Sequence, residues 1–291
     1  MGREVSKMAK KLSGYRIRIC QLVFCLLVGV FSPTSHSAPE SELWPIWAKD
    51  NPDSTKQIPH QKWQDIIDRY LDVSAEDQIY RFDYGGISSD DKGKLESYIA
   101  DLSGIDPRDY NKDEQLAYWI NLYNALTVDL VVSKYPVSSI KNIRSFSSLF
   151  GPWNRKIARV AGVKLSLNDI EHRILRPIWK DPRIHFVVNC ASIGCPNLQK
   201  TVFTSANADS LMTLSTKEFL NHPRALRKEG TTLIVSSLIN WYGTDFGENI
   251  QERLDYLAQY LTTEKRLMLT DYKKITYKYD WSLPKSITIE E

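Results

Sequence analysis

Apolar and polar residues alternate along much of this chain with the period of an α-helix. The strongest helix is predicted over 111–134, with Asn111 as its N-cap, two acidic residues in its first turn and Pro136 beyond its end. Because this stretch is apolar nearly all round, it is predicted to be a buried central helix. Further helices are predicted over 65–71, 88–102, 166–176, 207–221 and 249–261, with a short helical turn over 237–242.

Runs rich in β-branched and aromatic residues predict short strands between these helices. One hairpin is predicted over 155–165 and another over 227–235, because each has a glycine at its turn. Single strands are predicted over 78–84, 184–189 and 275–279. This succession favours the α+β class, with the buried central helix packed on a small, mainly antiparallel sheet.

The chain shows no internal repeat and no convincing linker, so a single domain is predicted. Its 291 residues, 42% of them hydrophobic, are enough to bury a sizeable core. We expect the domain to cover 60–291 and the Pro- and Ser-rich residues 38–59 to form an N-terminal arm on its surface.

Residues 1–37 are predicted to be a secretory signal peptide. A basic segment precedes the apolar run Ile19–Phe31, and Ser35 and Ser37 offer a cleavage site before Ala38. The run is shorter than the roughly 20 apolar residues that span a bilayer comfortably. We therefore expect a periplasmic or secreted protein with no transmembrane span after cleavage. An uncleaved signal anchor is the alternative interpretation.

Charge argues against nucleic acid as a partner. The full chain has a net charge of +3, but residues 1–37 contain six Lys/Arg and one acid. The remainder has 32 basic and 34 acidic residues, a net charge of −2, with no basic run. The expected partner is instead an unknown small-molecule or peptide-like substrate. No motif selects among peptides, amides, thioesters and glycans, and no cofactor is expected.

The stretch 181–196, DPRIHFVVNCASIGCP, concentrates the residues that are capable of chemistry. It contains His185, Asn189, Cys190 and Cys195, and these two cysteines are the ones that remain when residues 1–37 are removed. In an exported protein they face an oxidising compartment. This stretch is therefore the predicted centre of the functional site.

A thiol hydrolase or acyltransferase is the favoured interpretation. Cys190 would be the nucleophile, His185 or His172 its base, and Glu171 the acid that orients the imidazole. On a straight strand, His185 and Cys190 would face opposite sides because their spacing is odd, which makes His172 a competing base. Glu171 lies on the apolar face of its helix, so it is expected either to be paired or to have a raised pKa.

Asn121 and Asn124 lie on one stripe of the central helix and need hydrogen-bond partners, since an unpaired buried amide costs roughly 1–3 kcal/mol. One interpretation is that they bind the backbone of neighbouring loops. The other is that they orient a catalytic group or donate to a substrate oxyanion. Asn189 and Cys195 are likewise predicted to bind substrate or to orient the site.

Two alternatives to the thiol enzyme remain open. In the first, Cys190 and Cys195 form a disulfide, worth about 2 kcal/mol, and the protein is a non-catalytic binding domain. In the second, His172, His185 and the two cysteines bind zinc, although their spacing lacks the tight ligand pattern of common zinc sites. Counting free thiols and analysing bound metal would separate these interpretations.

Several motifs occur in a fixed order: YWINLYNAL at 118–126, SLNDIEH at 166–172, HFVVNCAS at 185–192 and CP at 195–196, then FLN at 219–221, WY at 241–242 and DF at 245–246. Together they resemble the family named domain of unknown function 547, over roughly residues 105–250. The resemblance supports the position of the site and implies no particular reaction. The order of a polar helix and a His-bearing strand also resembles the papain and transglutaminase-like fold, although Asn121, not a cysteine, occupies the helix.

Overall fold

A computed structural model describes residues 38–143 and 151–284. The predicted signal peptide, 1–37, lies outside the described residues. The longer helices are α1 (Gln61–Tyr70), α2 (Ser89–Ser103), α3 (Lys112–Val132), α4 (167–179) and α5 (Ala208–Asn221). Shorter helices follow: α6 (Ser237–Trp241), α7 (Gly243–Phe246), α8 (Ile250–Ala258) and α9 (Thr263–Leu267). The strands are β1 (Leu71–Asp72), β2 (Arg81–Phe82), β3 (Ala158–Val160), β4 (Val163–Leu165), β5 (Leu226–Glu229), β6 (Thr232–Ser236) and β7 (Lys274–Lys278).

Helix α3 is the buried centre of the fold, as its sequence predicts. The Asn111 side chain caps it by accepting a hydrogen bond from the Glu114 backbone at 2.9 Å. Nearly every residue of the helix is buried. Its principal neighbours are α2, α4 and α5, so the large core lies between helices.

The strands form three small sheets, which confirms the α+β class. Two of them contain the predicted hairpins, β3 with β4 and β5 with β6. Strand β7 joins β6 in parallel, with Val235 opposite Tyr277 and Ser236 opposite Lys278. This pairing carries the chain that follows β7 past the end of β6, toward α6 and the cysteines.

The predicted strand over 184–189 is wrong. The chain forms a 3₁₀ helix, Pro182–Phe186, because the Asp181 side chain accepts from the Arg183 backbone at 2.9 Å and proline starts the helix. These local capping signals outweigh the β propensity of the apolar residues. His185 and Cys190 therefore do not lie on opposite faces of a strand. The predicted strand over 78–84 is reduced to β2.

Residues 39–44 of the N-terminal arm pack along α4. The central part of α4, Ile170–Leu175, is a π-helical turn. The carbonyls of His172 and Arg173 accept hydrogen bonds from the arm, from Glu42 N at 2.9 Å and from Trp44 N at 3.1 Å. The widened turn thus leaves carbonyls available to a second segment. Among the described residues, no helix is long and apolar enough to cross a membrane.

Candidate functional site

The loop that carries both cysteines, residues 189–196, is held by its own first side chain. Asn189 donates to the Pro196 carbonyl at 2.6 Å and accepts from the Ala191 backbone at 2.8 Å. Ala191 is left-handed, with a φ of 53°, which is uncommon for residues other than glycine. Such conformations persist where surrounding contacts impose them, and they cluster at functional sites. We call residues 189–196 the cysteine loop.

The cysteine loop rests closely on the chain that follows β7. Gly194 N donates to the Asp280 carbonyl at 2.8 Å. A Cβ at Gly194 would lie 2.8 Å from the Asp280 nitrogen and 2.9 Å from the Tyr279 ring, so a side chain does not fit there. This close approach brings the Tyr279 hydroxyl to Cys190.

The Cys190 sulfur lies within a small hydrogen-bonded group. It is 3.0 Å from the Cys195 sulfur, 2.9 Å from the Tyr279 hydroxyl and 3.4 Å from the Ser192 hydroxyl. The two hydroxyls are themselves 2.9 Å apart. Both cysteines are free thiols, and Cys190 is partly exposed whereas Cys195 is buried.

These neighbours give the two thiols different acid strengths. Hydrogen bonding with Cys195 and with the two hydroxyls outweighs burial and lowers the pKa of Cys190. Burial and the adjacent Cys190 sulfur raise the pKa of Cys195 well above its usual range. Burial also raises the pKa of Tyr279, so its hydroxyl stays protonated and donates. Cys190 is therefore the sulfur that favours the thiolate form.

His185 is engaged by carboxylates. Its Nε2 lies 2.7 Å from Asp245 Oδ2 and its Nδ1 lies 3.5 Å from Glu171 Oε1. The Tyr242 ring stacks on the imidazole, with ring centroids 3.8 Å apart. Because both ring nitrogens face carboxylates and the residue is only 2% exposed, His185 anchors the segment that leads into the cysteine loop.

Asp245 also pairs with a buried arginine. Arg176 donates to both Asp245 oxygens, from Nε at 2.6 Å and from Nη2 at 2.8 Å. Its Nη1 donates to the Pro39 carbonyl at 2.7 Å and lies 3.1 Å from His172 Nδ1. Burial opposes ionisation of Asp245, but the hydrogen bonds from His185 and Arg176 outweigh it and lower the pKa of that carboxyl. One guanidinium thus connects the arm, α4 and α7.

Glu171 and His172 both point inward from the π-helical turn of α4. Glu171 accepts from the Tyr123 hydroxyl at 3.3 Å. Burial alone would raise the pKa of Glu171, but the neighbouring imidazoles outweigh burial and lower it. Burial lowers the pKa of His172 to about 4, against the opposing effect of Glu171. His172 is therefore neutral at pH 7, and its Nδ1 accepts the Arg176 hydrogen bond.

The structure brings together only part of the predicted site. Cys190 and Cys195 are in contact, and Glu171 lies beside both His185 and His172. In the described part of the chain, neither imidazole is a hydrogen-bond partner of Cys190. Direct proton transfer from Cys190 to a histidine was predicted, but the described residues do not contain the hydrogen bond that it requires.

A cleft of about 520 Å³ reaches the charged group from the side of the arm. Arg176 and Asp245 line it, together with the more exposed Lys180 and Thr244. Neither cysteine is among its lining residues. The cleft therefore opens on the buried ion pair and not on the thiols.

The zinc interpretation requires the two histidines and the two sulfurs to converge. Within the residues that the structure describes, no group of three or more His, Cys, Asp or Glu side chains could hold a metal ion. The sulfurs face hydroxyls, and the imidazoles face carboxylates and a guanidinium.

Asn121 and Asn124 each bind the backbone of a loop, the first of the two interpretations drawn from sequence. Asn121 donates to the Phe203 carbonyl at 2.7 Å and accepts from its nitrogen at 3.1 Å. Asn124 donates to the Val187 carbonyl at 2.9 Å and accepts from the Asn189 nitrogen at 2.8 Å. The two amides are chemically equivalent, but only Asn124 holds the segment that begins the cysteine loop.

This equivalence provides a matched pair of variants. We expect Asn121→Ala and Asn124→Ala each to lower the free energy of unfolding by about 1–3 kcal/mol, because each leaves buried backbone groups unpaired. Only Asn124→Ala should also change the alkylation rate of Cys190, by several-fold. Denaturant unfolding and timed iodoacetamide labelling measure the two effects. Equal effects of both variants on labelling would contradict an orienting role for Asn124.

The buried imidazoles of His172 and His60 predict that the protein is less stable in mild acid. Burial lowers the pKa of each to about 4, whereas an unfolded histidine titrates near 6.5. Between these values the unfolded chain binds more protons, so the free energy of unfolding falls as the pH falls. From pH 7.5 to pH 5 we expect a loss of roughly 2 kcal/mol for each histidine.

Denaturant unfolding across this pH range tests the prediction. The depressed pKa values of Glu171 and Asp245 remove stability only at lower pH, so they do not interfere above pH 5. His172→Gln and His60→Gln should each reduce this pH-dependent loss by roughly 2 kcal/mol. An unchanged slope in both variants would show that other groups are responsible.

The sequence alone does not identify two residues of the site. Asp245 belongs to the DF motif at 245–246, but nothing local marks it as the partner of His185. Tyr279 lies 89 positions from Cys190, and the parallel pairing of β7 with β6 brings the two together. A signal for that long-range pairing is not visible in a single sequence.

Comparison with known proteins gives one finding. Residues 107–220 match the model of the family described as protein of unknown function, DUF547. The matched segment includes both cysteines and His185, while Asp245 and Tyr279 lie beyond it. Neither the curated proteins nor the solved structures contain a significant match. The match confirms the resemblance seen in the motifs: residues 107–220 of this chain are similar to the family of unknown function DUF547.

Proposed function

We propose that this chain is an exported thiol-dependent hydrolase or acyltransferase whose nucleophile is the Cys190 sulfur. One observation carries the proposal: the sulfur of Cys190, a partly exposed residue, lies within hydrogen-bonding distance of the Tyr279 and Ser192 hydroxyls. Donors of this kind stabilise a thiolate, and the thiolate is the nucleophilic form of cysteine. Hydrogen bonding thus prepares the nucleophile, and neither His172 nor His185 is hydrogen-bonded to it.

The proposed reaction has two steps. The Cys190 thiolate attacks an acyl carbon, a bond from sulfur to carbon forms, and the bond from that carbon to the leaving group breaks. The leaving group takes a proton from the Tyr279 hydroxyl, the nearest O–H donor at 2.9 Å. Water or a second nucleophile then attacks the thioester, releases the acyl group and restores the sulfur, and its proton returns to Tyr279.

The other predicted residues are positioning residues in this proposal. Asn124 and Asn189 hold the backbone of the cysteine loop through bonds of 2.6–2.9 Å. Glu171 and His185, together with Asp245, anchor the 3₁₀ helix from which the loop emerges. None of these three contacts the sulfur by a hydrogen bond in the described residues, so they act through the backbone and not as proton carriers.

A second candidate is a non-catalytic binding domain with a structural disulfide. The contact of 3.0 Å between the Cys190 and Cys195 sulfurs favours it, because this is only about 1 Å longer than a disulfide bond. Such a protein would have no free thiol after export and would not form a thioester.

Trapping of an acyl-enzyme tests the proposal. The reduced protein is incubated with a p-nitrophenyl ester of a short acyl chain, quenched in acid, digested and examined by mass spectrometry. We expect one acyl group on Cys190, released by hydroxylamine as a thioester is, in both the wild type and Cys195→Ala. Acylation of neither cysteine, or equal acylation of both in the wild type, would refute Cys190 as the nucleophile.

A further inference from the structure

The contact between the two sulfurs also indicates a second activity for the cysteine loop. We propose that Cys190 and Cys195 form a redox pair that exchanges with external disulfides, with Cys190 as the attacking thiol and Cys195 as the resolving thiol. The substrate class is an accessible disulfide, on a peptide or on a small thiol compound. The activity uses the same sulfur as the proposed acyl transfer but does not depend on an acyl substrate.

Access to the two sulfurs is unequal, as such a pair requires. Cys190 is partly exposed, whereas Cys195 is 3% exposed and packed beneath it. An external disulfide therefore reaches Cys190 first. The mixed disulfide that forms on Cys190 then has the Cys195 sulfur, now 3.0 Å away, as its nearest thiol.

Hydrogen bonding assigns the same order of attack. The hydroxyls of Tyr279 and Ser192 point to Cys190, at 2.9 and 3.4 Å, and stabilise its thiolate before exchange. The backbone N–H of Cys190 points instead to the Cys195 sulfur, at 3.0 Å. While Cys190 is a thiolate, its charge opposes ionisation of Cys195 and raises the pKa of Cys195. A mixed disulfide on Cys190 is neutral, so this opposition is removed.

A buried guanidinium provides positive charge near the resolving thiol. Arg224 donates to the Ile193 carbonyl of the cysteine loop at 3.1 Å and to Asn197 at 2.7 Å, and its Nε has no hydrogen-bond partner in the described structure. Burial lowers the pKa of Arg224 to about 10, and negative charge on Cys195 opposes that shift. Because electrostatic coupling is mutual, Arg224 stabilises the Cys195 thiolate in turn. Arg224 is thus a positioning residue for the resolving step.

The loop holds the reduced pair in a geometry close to that of the bonded pair. Asn189 fixes both ends of the loop, Gly194 is bonded to Asp280, and Ala191 is kept left-handed. These contacts hold the two sulfurs 3.0 Å apart in the reduced protein, about 1 Å longer than a disulfide bond.

The disulfide exchange needs no oxidant other than the external disulfide. The Cys190 thiolate attacks one sulfur of the external disulfide, a mixed disulfide forms and one external thiolate leaves. Cys195 loses its proton to solvent and attacks the Cys190 sulfur, and the second external thiolate leaves. The protein dithiol is oxidised by two electrons to the disulfide, and the external disulfide is reduced to two thiols. Formation of the disulfide between Cys190 and Cys195 also removes the nucleophile of the proposed acyl transfer.

Trapping with oxidised glutathione tests the order of attack. The full chain is reduced, freed of reductant and incubated with oxidised glutathione at pH 7, and the products are identified by intact mass and peptide mapping. We expect the wild type to lose two hydrogens with only a transient adduct. Cys195→Ala should accumulate one glutathione on Cys190, and Cys190→Ala should react at Cys195 at least about 10-fold more slowly. Circular dichroism checks that both variants are folded.

Two controls separate this proposal from its alternatives. Glutathione buffers of graded ratio should open and close the wild-type pair reversibly; a pair that stays closed in reduced glutathione would be a structural disulfide and would overturn the proposal. Equal adduct formation on the two single variants would overturn it as well. Arg224→Gln should slow closure after adduct formation while leaving the adduct rate on Cys190 unchanged. Acyl trapping is carried out on reduced protein, so failure of one activity leaves the other to be judged independently.

Discussion

Replacement of Cys190 with serine is expected to lower acyl transfer by at least about 10³-fold. A serine hydroxyl at this position would have the same neighbours, but it is far less acidic than a thiol, and neither His172 nor His185 is hydrogen-bonded there to remove its proton. The hydroxyls of Tyr279 and Ser192 would then be hydrogen-bonded to a neutral alcohol. Initial rates of ester hydrolysis by the reduced protein, with the uncatalysed rate subtracted, measure the loss.

Cys195→Ala is the matched control for this variant. It removes the sulfur 3.0 Å away and its hydrogen bond with Cys190, but it keeps the nucleophile and both hydroxyls. We expect it to retain activity within about 10-fold of the wild type, since one hydrogen bond contributes about 1 kcal/mol. Comparable loss in the two variants would mean that the sulfurs act as one structural unit and not as nucleophile and neighbour.

Asp245→Ala is expected to destabilise the fold by about 3–5 kcal/mol. Asp245 accepts two hydrogen bonds from Arg176, at 2.6 and 2.8 Å, and lies 2.7 Å from His185 Nε2. The Arg176 side chain is only 5% exposed, so loss of its partner leaves a buried cation uncompensated. Denaturant unfolding at pH 7.5, followed by circular dichroism, measures the change in the free energy of unfolding.

An exposed ion pair provides the control for this effect. Lys228 and Asp271 lie 2.6 Å apart, as close as the buried pair, but the Asp271 side chain is 87% exposed. Asp271→Ala should leave the free energy of unfolding nearly unchanged, because exposed ion pairs contribute little. If both variants cost the same, burial of the Arg176 pair would not be what makes it important.

Local features of this fold were predictable from sequence. Asn111 and the acidic residues of the first turn predict the start of α3. The capping box of Ser166 and Asp169 predicts the start of α4. The hairpin of β3 and β4 follows from its glycine turn. In each case the atoms that decide the structure lie within a few positions of one another, so a single sequence contains the signal.

The contacts that organise the site are long-range, and sequence patterns did not reveal them. Arg176 and Asp245 are 69 positions apart, and Cys190 and Tyr279 are 89 positions apart. The stretch around His185 was misjudged because its apolar composition resembles a strand, whereas the Asp181 cap makes it a 3₁₀ helix. Tertiary packing decides which polar groups come into contact. The sequence therefore locates the cysteine loop, but it predicts a histidine and not hydroxyl groups beside the thiol.

In the proposed reaction Cys190 is the activated sulfur, and its hydrogen-bond donors stabilise the thiolate form. The most direct test is the pH dependence of iodoacetamide labelling of Cys190 in the reduced wild-type protein, with the adduct quantified by peptide mapping. We expect a midpoint below the value of about 8.5 for a free cysteine, and a higher midpoint in Tyr279→Phe. A midpoint at or above 8.5, or faster labelling of Cys195 than of Cys190, would contradict it.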